Sequence, residues 1–440
     1  MLLTQVPSYF KSRREKLMNH SDAQGAVFIF PAAHELARNP DVTFPFRQES
    51  HFFYLTGFEE PESFLVLLPA LSGSKPKTVM FVRKRDPLME MWEGERYGTE
   101  GALKVFGADE AYLFEDFETK MPELMKGAEK VYYRANMDEA NDRKVMAALE
   151  KHRRSAGRSG KPMMALLDPQ VILGEMRLFK SDEEIKHMRE ACRITALAHT
   201  SAMKEVKPGM NEFEVEALID YVFRKNGCAR VGYGSIVAGG KNAACLHYRF
   251  NNEVLRDGDL LLIDAGGEYN YYTSDITRTF PVGKQFTKSQ AVIYDLVLKA
   301  QMECIAMAKP GATLPAIHRK ACEILTEGML SLGLMKGEVS KLIDSGEFKR
   351  FYPHGTGHWL GMDVHDVGLY QINGEPRKLE PGMMFTIEPG FYVQPGDEAA
   401  RGEFKDIGIR IEDDILVTPQ GCEIMTSGVP KKREEIEALR

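Results

Sequence analysis

Asp264 and Asp275 share the run Leu-Leu-Leu-Ile-Asp-Ala-Gly-Gly-Glu-Tyr-Asn-Tyr-Tyr-Thr-Ser-Asp-Ile-Thr-Arg-Thr, where the first closes an apolar stretch and the second opens an alternating one. Such segments read as the two strands of a hairpin. Folded about Tyr269-Asn270, the hairpin sets Asp264 opposite Asp275, with side chains starting roughly 5 Å apart. Like charges that close, and buried, need a remedy. Either one carboxyl keeps a proton, as in a catalytic dyad, or a cation lies between them.

Further groups of the same chemistry follow. His354-Gly-Thr-Gly-His358 presents two histidines among glycines, and His365 comes shortly after; Glu388 ends an apolar run in Thr-Ile-Glu-Pro-Gly, and Glu412 lies in Gly-Ile-Arg-Ile-Glu-Asp-Asp. His247 sits in Cys-Leu-His-Tyr. His354 and His358 have the spacing of a zinc-binding helix, but no glutamate follows the first and glycines interrupt the pair, which argues against a His-Glu-x-x-His site. Singly, each residue has an ordinary explanation as a loop histidine or a solvated strand end. Two aspartates, two glutamates and a histidine, three of them in apolar strands, form a set too costly to bury without cations. Cys245 beside His247 suggests a thiol nucleophile only weakly.

The elements that must position these groups come next. A chain of 440 residues exceeds the usual size of one core, so two domains are expected, at 1–175 and 176–440. From Gly25 to about Ala135, short β-rich runs (Ala26–Phe30, Phe64–Leu68, Thr78–Val82, Val131–Tyr133) alternate with helical stretches, the pattern of a small α/β domain. The basic stretch His152–Lys161 reads as a surface loop near the boundary. Ser181 with Glu184 forms a capping box that opens a long helix. Beyond it the chain repeats itself: Lys207-Pro-Gly recurs as Lys309-Pro-Gly, and the strand closing on Asp264 matches the one closing on Glu388. Internal duplication follows, with the two acids brought to one site about a pseudo-twofold axis.

Composition removes some functions. With 57 basic and 64 acidic residues the net charge is −7, unlike the basic footprint of a nucleic-acid binder. No apolar run reaches membrane-spanning length and the first twenty residues lack a signal-peptide core, so a cytoplasmic protein is expected. The six cysteines form no Cys-x-x-Cys pair and read as reduced, packed thiols.

Ile-Asp-Ala-Gly, Ser-Asp-Ile-Thr-Arg-Thr-Phe, His-Gly-Thr-Gly-His, Asp-Val-His-Asp-Val-Gly, Ile-Glu-Pro-Gly-Phe-Tyr and Gly-Ile-Arg-Ile-Glu-Asp-Asp together resemble the metal-dependent pita-bread peptidases. The N-terminal Phe46-Arg-Gln-Glu-Ser-His-Phe-Phe-Tyr-Leu-Thr-Gly-Phe58 and Met176-Arg-Leu-Phe-Lys-Ser181 narrow the resemblance to the bacterial aminopeptidase P (Xaa-Pro aminopeptidase) group. The resemblance implies an α/β (α+β) chain whose small N-terminal α/β domain precedes a pita-bread catalytic domain. It implies two divalent metal ions held by Asp264, Asp275, His358, Glu388 and Glu412, manganese being usual and cobalt or zinc able to substitute. Asp275 and Glu412 would bridge them. Glu388 would be general base, His247 and His365 would hold the carbonyl and its oxyanion, and His354 would line the proline pocket. Tyr233 and Arg410 would orient the ligands. Trp92 would reach a neighbouring subunit's pocket in a homo-oligomer, a dimer or tetramer, whose N-terminal domains narrow the cleft. The implied substrates are peptides with an Xaa-Pro amino terminus. A prolidase is the main rival; a metal-free creatinase-like hydrolase and a binding module on the same fold characteristically lose ligands that this chain keeps.

Overall fold

The computed structural model describes residues 3–71, 75–156, 164–394, 396–397 and 402–440. The chain divides into two compact units, Met1–Leu173 and Gly174–Arg440. The first is built on a six-stranded sheet in the order Glu110–Leu113, Lys77–Val82, Phe64–Leu68, Ala26–Pro31, Lys130–Tyr132, Ala165–Leu167. Its central pairings are antiparallel and its flanking ones parallel. The central strands are buried on both faces, which is why they appear in the sequence as continuous apolar runs. Phe117, Met121 and Val145, from helices Phe117–Leu124 and Glu139–Ala156, close one face of the sheet over Val27, Phe64 and Val66.

The loop expected over His152–Lys161 is corrected in its first part. Helix Glu139–Ala156 runs through it, because Glu150 pairs with both Arg153 and Arg154 one turn on and offsets the missing apolar periodicity. Its remainder, 157–161, lies outside the described residues.

The second unit is duplicated down to its hydrogen bonds. Helices Asp182–Glu205 and Lys288–Met307 both open with a capping box, Ser181/Glu184 and Thr287/Gln290. After each helix the Lys-Pro-Gly turn is pinned in the same way: Gly209 N–H donates to Leu255 O and Gly311 N–H to Leu379 O, both at 2.9 Å. The return bonds match too, from Leu255 N–H to Met210 O at 2.8 Å and from Leu379 N–H to Ala312 O at 2.7 Å. Each half then contributes an antiparallel sheet, buried except for the half-buried strand Gly421–Ile424. One contains Ile236–Gly239, Leu260–Asp264 and Thr277–Pro281; the other contains Met384–Ile387, Asp413–Thr418 and Gly421–Ile424.

The aspartate hairpin exists, but two residues out of the expected register. Asp264 pairs with Thr277, not with Asp275. The loop is Asn270-Tyr271, with φ of 49° and 69°, and Tyr269 faces Tyr272 across it. Positive φ at both loop residues gives the mirror-image turn whose twist suits a two-residue hairpin. Tyrosine at the second position carries no glycine signal, so the sequence concealed where the chain reverses. Because the shift is an even number of residues, both aspartates keep the same face. Gly266 is required where the strands close up, since a Cβ there would lie 1.8 Å from Ser274 O.

Candidate metal centre

Asp264 ends its strand and Glu388 follows the equivalent strand Met384–Ile387 in the other half. Asp275 stands between Thr273 and Thr277 on the hairpin's return, and Glu412 occupies the break between strands Gly408–Arg410 and Asp413–Thr418. The histidine segment is not helical. It lies along the Glu388 strand as an extra, irregular edge: Thr386 N–H donates to His358 O at 3.0 Å and Glu388 N–H to Thr356 O at 2.8 Å. This explains the glycine between Thr356 and His358, for a Cβ on Gly357 would stand 1.8 Å from Thr386 O. Gly357→Ala is therefore expected to push the segment off the strand, costing several kcal/mol of stability or metal binding. A thermal melt and a metal titration on the variant check this.

These elements bring ligand atoms of Asp275, His358 and Glu412 within 4.8 Å of one another. His358 Nε2 lies 3.5 Å from Asp275 Oδ2 and 3.7 Å from Glu388 Oε1. Its Nδ1 lies 3.1 Å from the Trp359 carbonyl, a contact that places the proton on Nδ1 and turns a bare Nε2 toward the acids in the neutral ring. The Tyr233 hydroxyl stands 2.6 Å from Asp264 Oδ1 and 2.5 Å from Asp275 Oδ1, so one proton serves both carboxylates. Arg410 donates to Asp264 Oδ2 at 2.6 Å, to Thr277 Oγ1 at 3.0 Å and to the Tyr392 hydroxyl at 3.0 Å. The Thr277 hydroxyl in turn donates to Glu412 Oε2 at 2.6 Å.

The acids are held in mutual repulsion. Burial, and then the charge of Asp264, pushes Asp275 up; burial, and then Asp275, Glu388 and Asp264, pushes Glu412 well above the carboxylate range. Burial lifts Glu388 to about 7 even though His358 and Arg410 pull the other way. Burial works against charge on His358, but its hydrogen bond to Asp275 and the charges of Glu388 and Asp275 prevail and raise it to about 9. Four carboxyl groups thus face the charged Arg410 guanidinium and His358 imidazole, while His354, 3.8 Å from Glu388, is held neutral chiefly by burial. That surplus, in oxygen-rich ligation with a single nitrogen, is the donor set that a divalent cation resolves.

The cluster lines a cavity of about 620 Å³ that His247, His354, His365, Ile236, Leu246 and Val364 also line. The His365 ring stacks on His358 with centroids 3.9 Å apart; burial, then the neighbouring His358 and His247, lowers it to about 4. His354 meets the Tyr392 hydroxyl at 2.8 Å and falls to about 3, chiefly through burial and then Arg410. Trp92 stands on helix Pro87–Glu93 of the first unit, 85% exposed, with Leu88 and Met91 similarly open.

Sequence reasoning did not single out Thr277, Tyr392 or Arg249, which also lines the cavity, and it had no role for Asp414. Asp414 receives the Asp275 N–H on both oxygens, at 3.0 and 3.2 Å, and the Cys192 thiol at 3.3 Å. Thr277 had a usable signal: it stands two residues after Asp275 on the same strand face.

Residues 186–419 match the sequence profile of metallopeptidase family M24, and residues 10–132 match that of the aminopeptidase P N-terminal domain. The chain belongs to metallopeptidase family M24. This M24 chain is 42% identical over 430 residues to an Xaa-Pro aminopeptidase of Escherichia coli, covering 98% of its own length and 97% of that relative. The solved structure of Pseudomonas aeruginosa aminopeptidase PepP superposes with a TM-score of 0.93 at 44% identity, over 99% of the M24 chain and 98% of the other. A zinc-substituted Escherichia coli aminopeptidase P in complex with product gives the same TM-score, 0.93, at 41% identity, over 99% of this chain and 98% of that one. As an M24 metallopeptidase the chain is a hydrolase that binds a divalent metal. Its architecture is the mixed α/β one expected, an N-terminal domain followed by a duplicated pita-bread domain.

Proposed function

We propose that the chain is an Xaa-Pro aminopeptidase, releasing the first residue of peptides that carry proline in the second position. The observation that carries this reading is the cavity in which a buried acid and imidazole cluster meets two histidines, His247 and His365, on its solvent side. Near-full-length similarity to Xaa-Pro aminopeptidases, N-terminal domain included, supports the substrate class.

Asp264, Asp275, His358, Glu388 and Glu412 would hold two divalent ions, with manganese the expected metal and cobalt or zinc able to replace it. Bound divalent metal supplies a water of lowered pKa and polarises the scissile carbonyl. Glu388, a carboxylate facing the cavity, takes a proton from the attacking water. It then returns the proton to the proline nitrogen, which carries none of its own in the peptide and must gain one to leave. His365 is uncharged near neutral pH and, with His247, donates an N–H to the developing oxyanion. His354, fixed by Tyr392, lines the proline side. Arg410 and Tyr233 hold Asp264 and Asp275 in place.

Exposed Leu88, Met91 and Trp92 support a homo-oligomer of two or four chains, in which this surface meets a neighbour and the N-terminal domains narrow access to the peptide's end. All six cysteines are free, which fits a reducing, cytoplasmic setting, and no helix of the described residues is long and apolar enough to cross a membrane.

Turnover of Arg-Pro-Pro beside Gly-Pro, with manganese added, tests the activity. Release of arginine from the tripeptide is expected. Cleavage of the dipeptide alone would replace this reading with a prolidase.

A further inference from the structure

Two guanidinium groups line the cavity, and they are in opposite states. Arg410 is buried and committed to Asp264, Thr277 and Tyr392. Arg249 is exposed and has no acid, hydroxyl or carbonyl partner among the described residues. Its place is nonetheless fixed. The intervening Tyr248 is buried and donates its hydroxyl to Glu212 Oε2 at 2.8 Å, while His247 before it and Arg249 after it both line the cavity. A turn closed by the Tyr248 N–H on Cys245 O at 3.2 Å ends at this residue, so one side chain is anchored inward while its two neighbours are presented to the cavity.

An unpartnered cation beside a peptide site discriminates by charge. The amino end of the substrate carries an ammonium that Arg249 repels, so the arginine belongs with the opposite end. His247 and Arg249 are two residues apart, so their Cα atoms lie within about 7 Å, the span of two residues of an extended peptide, and a substrate with its scissile carbonyl at His247 has its third residue within reach of the long Arg249 side chain.

Resting on the Xaa-Pro aminopeptidase reading, we infer that Arg249 is a specificity residue that pairs with a carboxylate at the third residue of the substrate. That carboxylate is either the free C-terminus of a tripeptide or an aspartate or glutamate side chain in a longer peptide.

The test is steady-state kinetics on four peptides: Ala-Pro-Ala as free acid, Ala-Pro-Ala amide, Ala-Pro-Asp-Ala amide and Ala-Pro-Lys-Ala amide. Wild type, Arg249→Gln and Arg249→Glu are compared. The wild type prefers at least one carboxylate-bearing peptide over the neutral amide by about fivefold in kcat/KM, expressed in KM and diminished by salt, as fits one solvent-exposed ion pair. Arg249→Gln brings that ratio close to one, and Arg249→Glu inverts it in favour of the lysine peptide. Preference for the free-acid tripeptide alone identifies the C-terminus as the partner; preference for the aspartate peptide alone identifies the side chain. The same acid-to-amide ratio in all three proteins overturns the inference. A wild type that releases alanine from none of the four contradicts the aminopeptidase reading itself, an outcome distinct from an indifferent Arg249.

Discussion

Glu388→Ala is expected to lower kcat by roughly 10³-fold or more. The residue combines a ligand position 3.7 Å from His358 Nε2 with a carboxylate that faces the cavity and can carry a proton, and alanine removes both. Glu388→Gln separates the two contributions, because it keeps an oxygen for the metal but cannot carry a proton from water to the proline nitrogen. Metal content of both variants, measured alongside kcat, distinguishes loss of the base from loss of the ion. Wild-type turnover in either variant would rule out the role assigned.

Stripping the metal is expected to make stability fall as pH rises. Glu388 moves from 4.5 in the unfolded chain to about 7 in the folded one, and Asp275 and Glu412 are displaced in the same direction. Acids raised by folding bind extra protons in the native state, so their contribution is complete below about pH 4.5 and is lost as pH climbs through the folded value. His358, raised from 6.5 to about 9, extends the decline in the same sense at higher pH. The displacement of Glu388 alone corresponds to about 3 kcal/mol, and coupling within the cluster prevents simple addition of the others. Melting curves of the chelated protein should show Tm falling on the order of 10 °C between pH 5 and 8. Saturating divalent metal should flatten that slope, and Glu412→Gln should blunt it without metal. A metal-free Tm that holds or rises over this range would mean that the carboxylates are not in mutual repulsion.

The sequence revealed most where chemistry forced an unusual residue into an apolar strand. Asp264 and Glu388 were visible because an acid closing Leu-Leu-Leu-Ile or Met-Phe-Thr-Ile is costly, and their matching places disclosed the duplication. Sequence was silent where the determinant is relative position. The reversal at Asn270-Tyr271 depends on backbone angles that no side chain announced, and the expected register slipped by two for that reason. Asp414 reads in sequence as one more acid; only the fold sets it beneath the Asp275 amide. Arg249 likewise became noticeable once Arg410 proved fully engaged and Tyr248 proved buried.

Asp264 and Asp275 come from one half of the duplication, and His358, Glu388 and Glu412 from the other. The seam between them is stitched by Thr277, whose carbonyl accepts the Glu412 N–H at 3.1 Å and whose hydroxyl bonds its carboxylate, and by Arg278, which donates to the Glu412 carbonyl and is paired with buried Asp413. Bound metal would therefore add ligand bonds from both halves across that seam. A mutation far from any ligand that loosens this seam should then show itself as weaker retention of metal, read by metal content after dialysis.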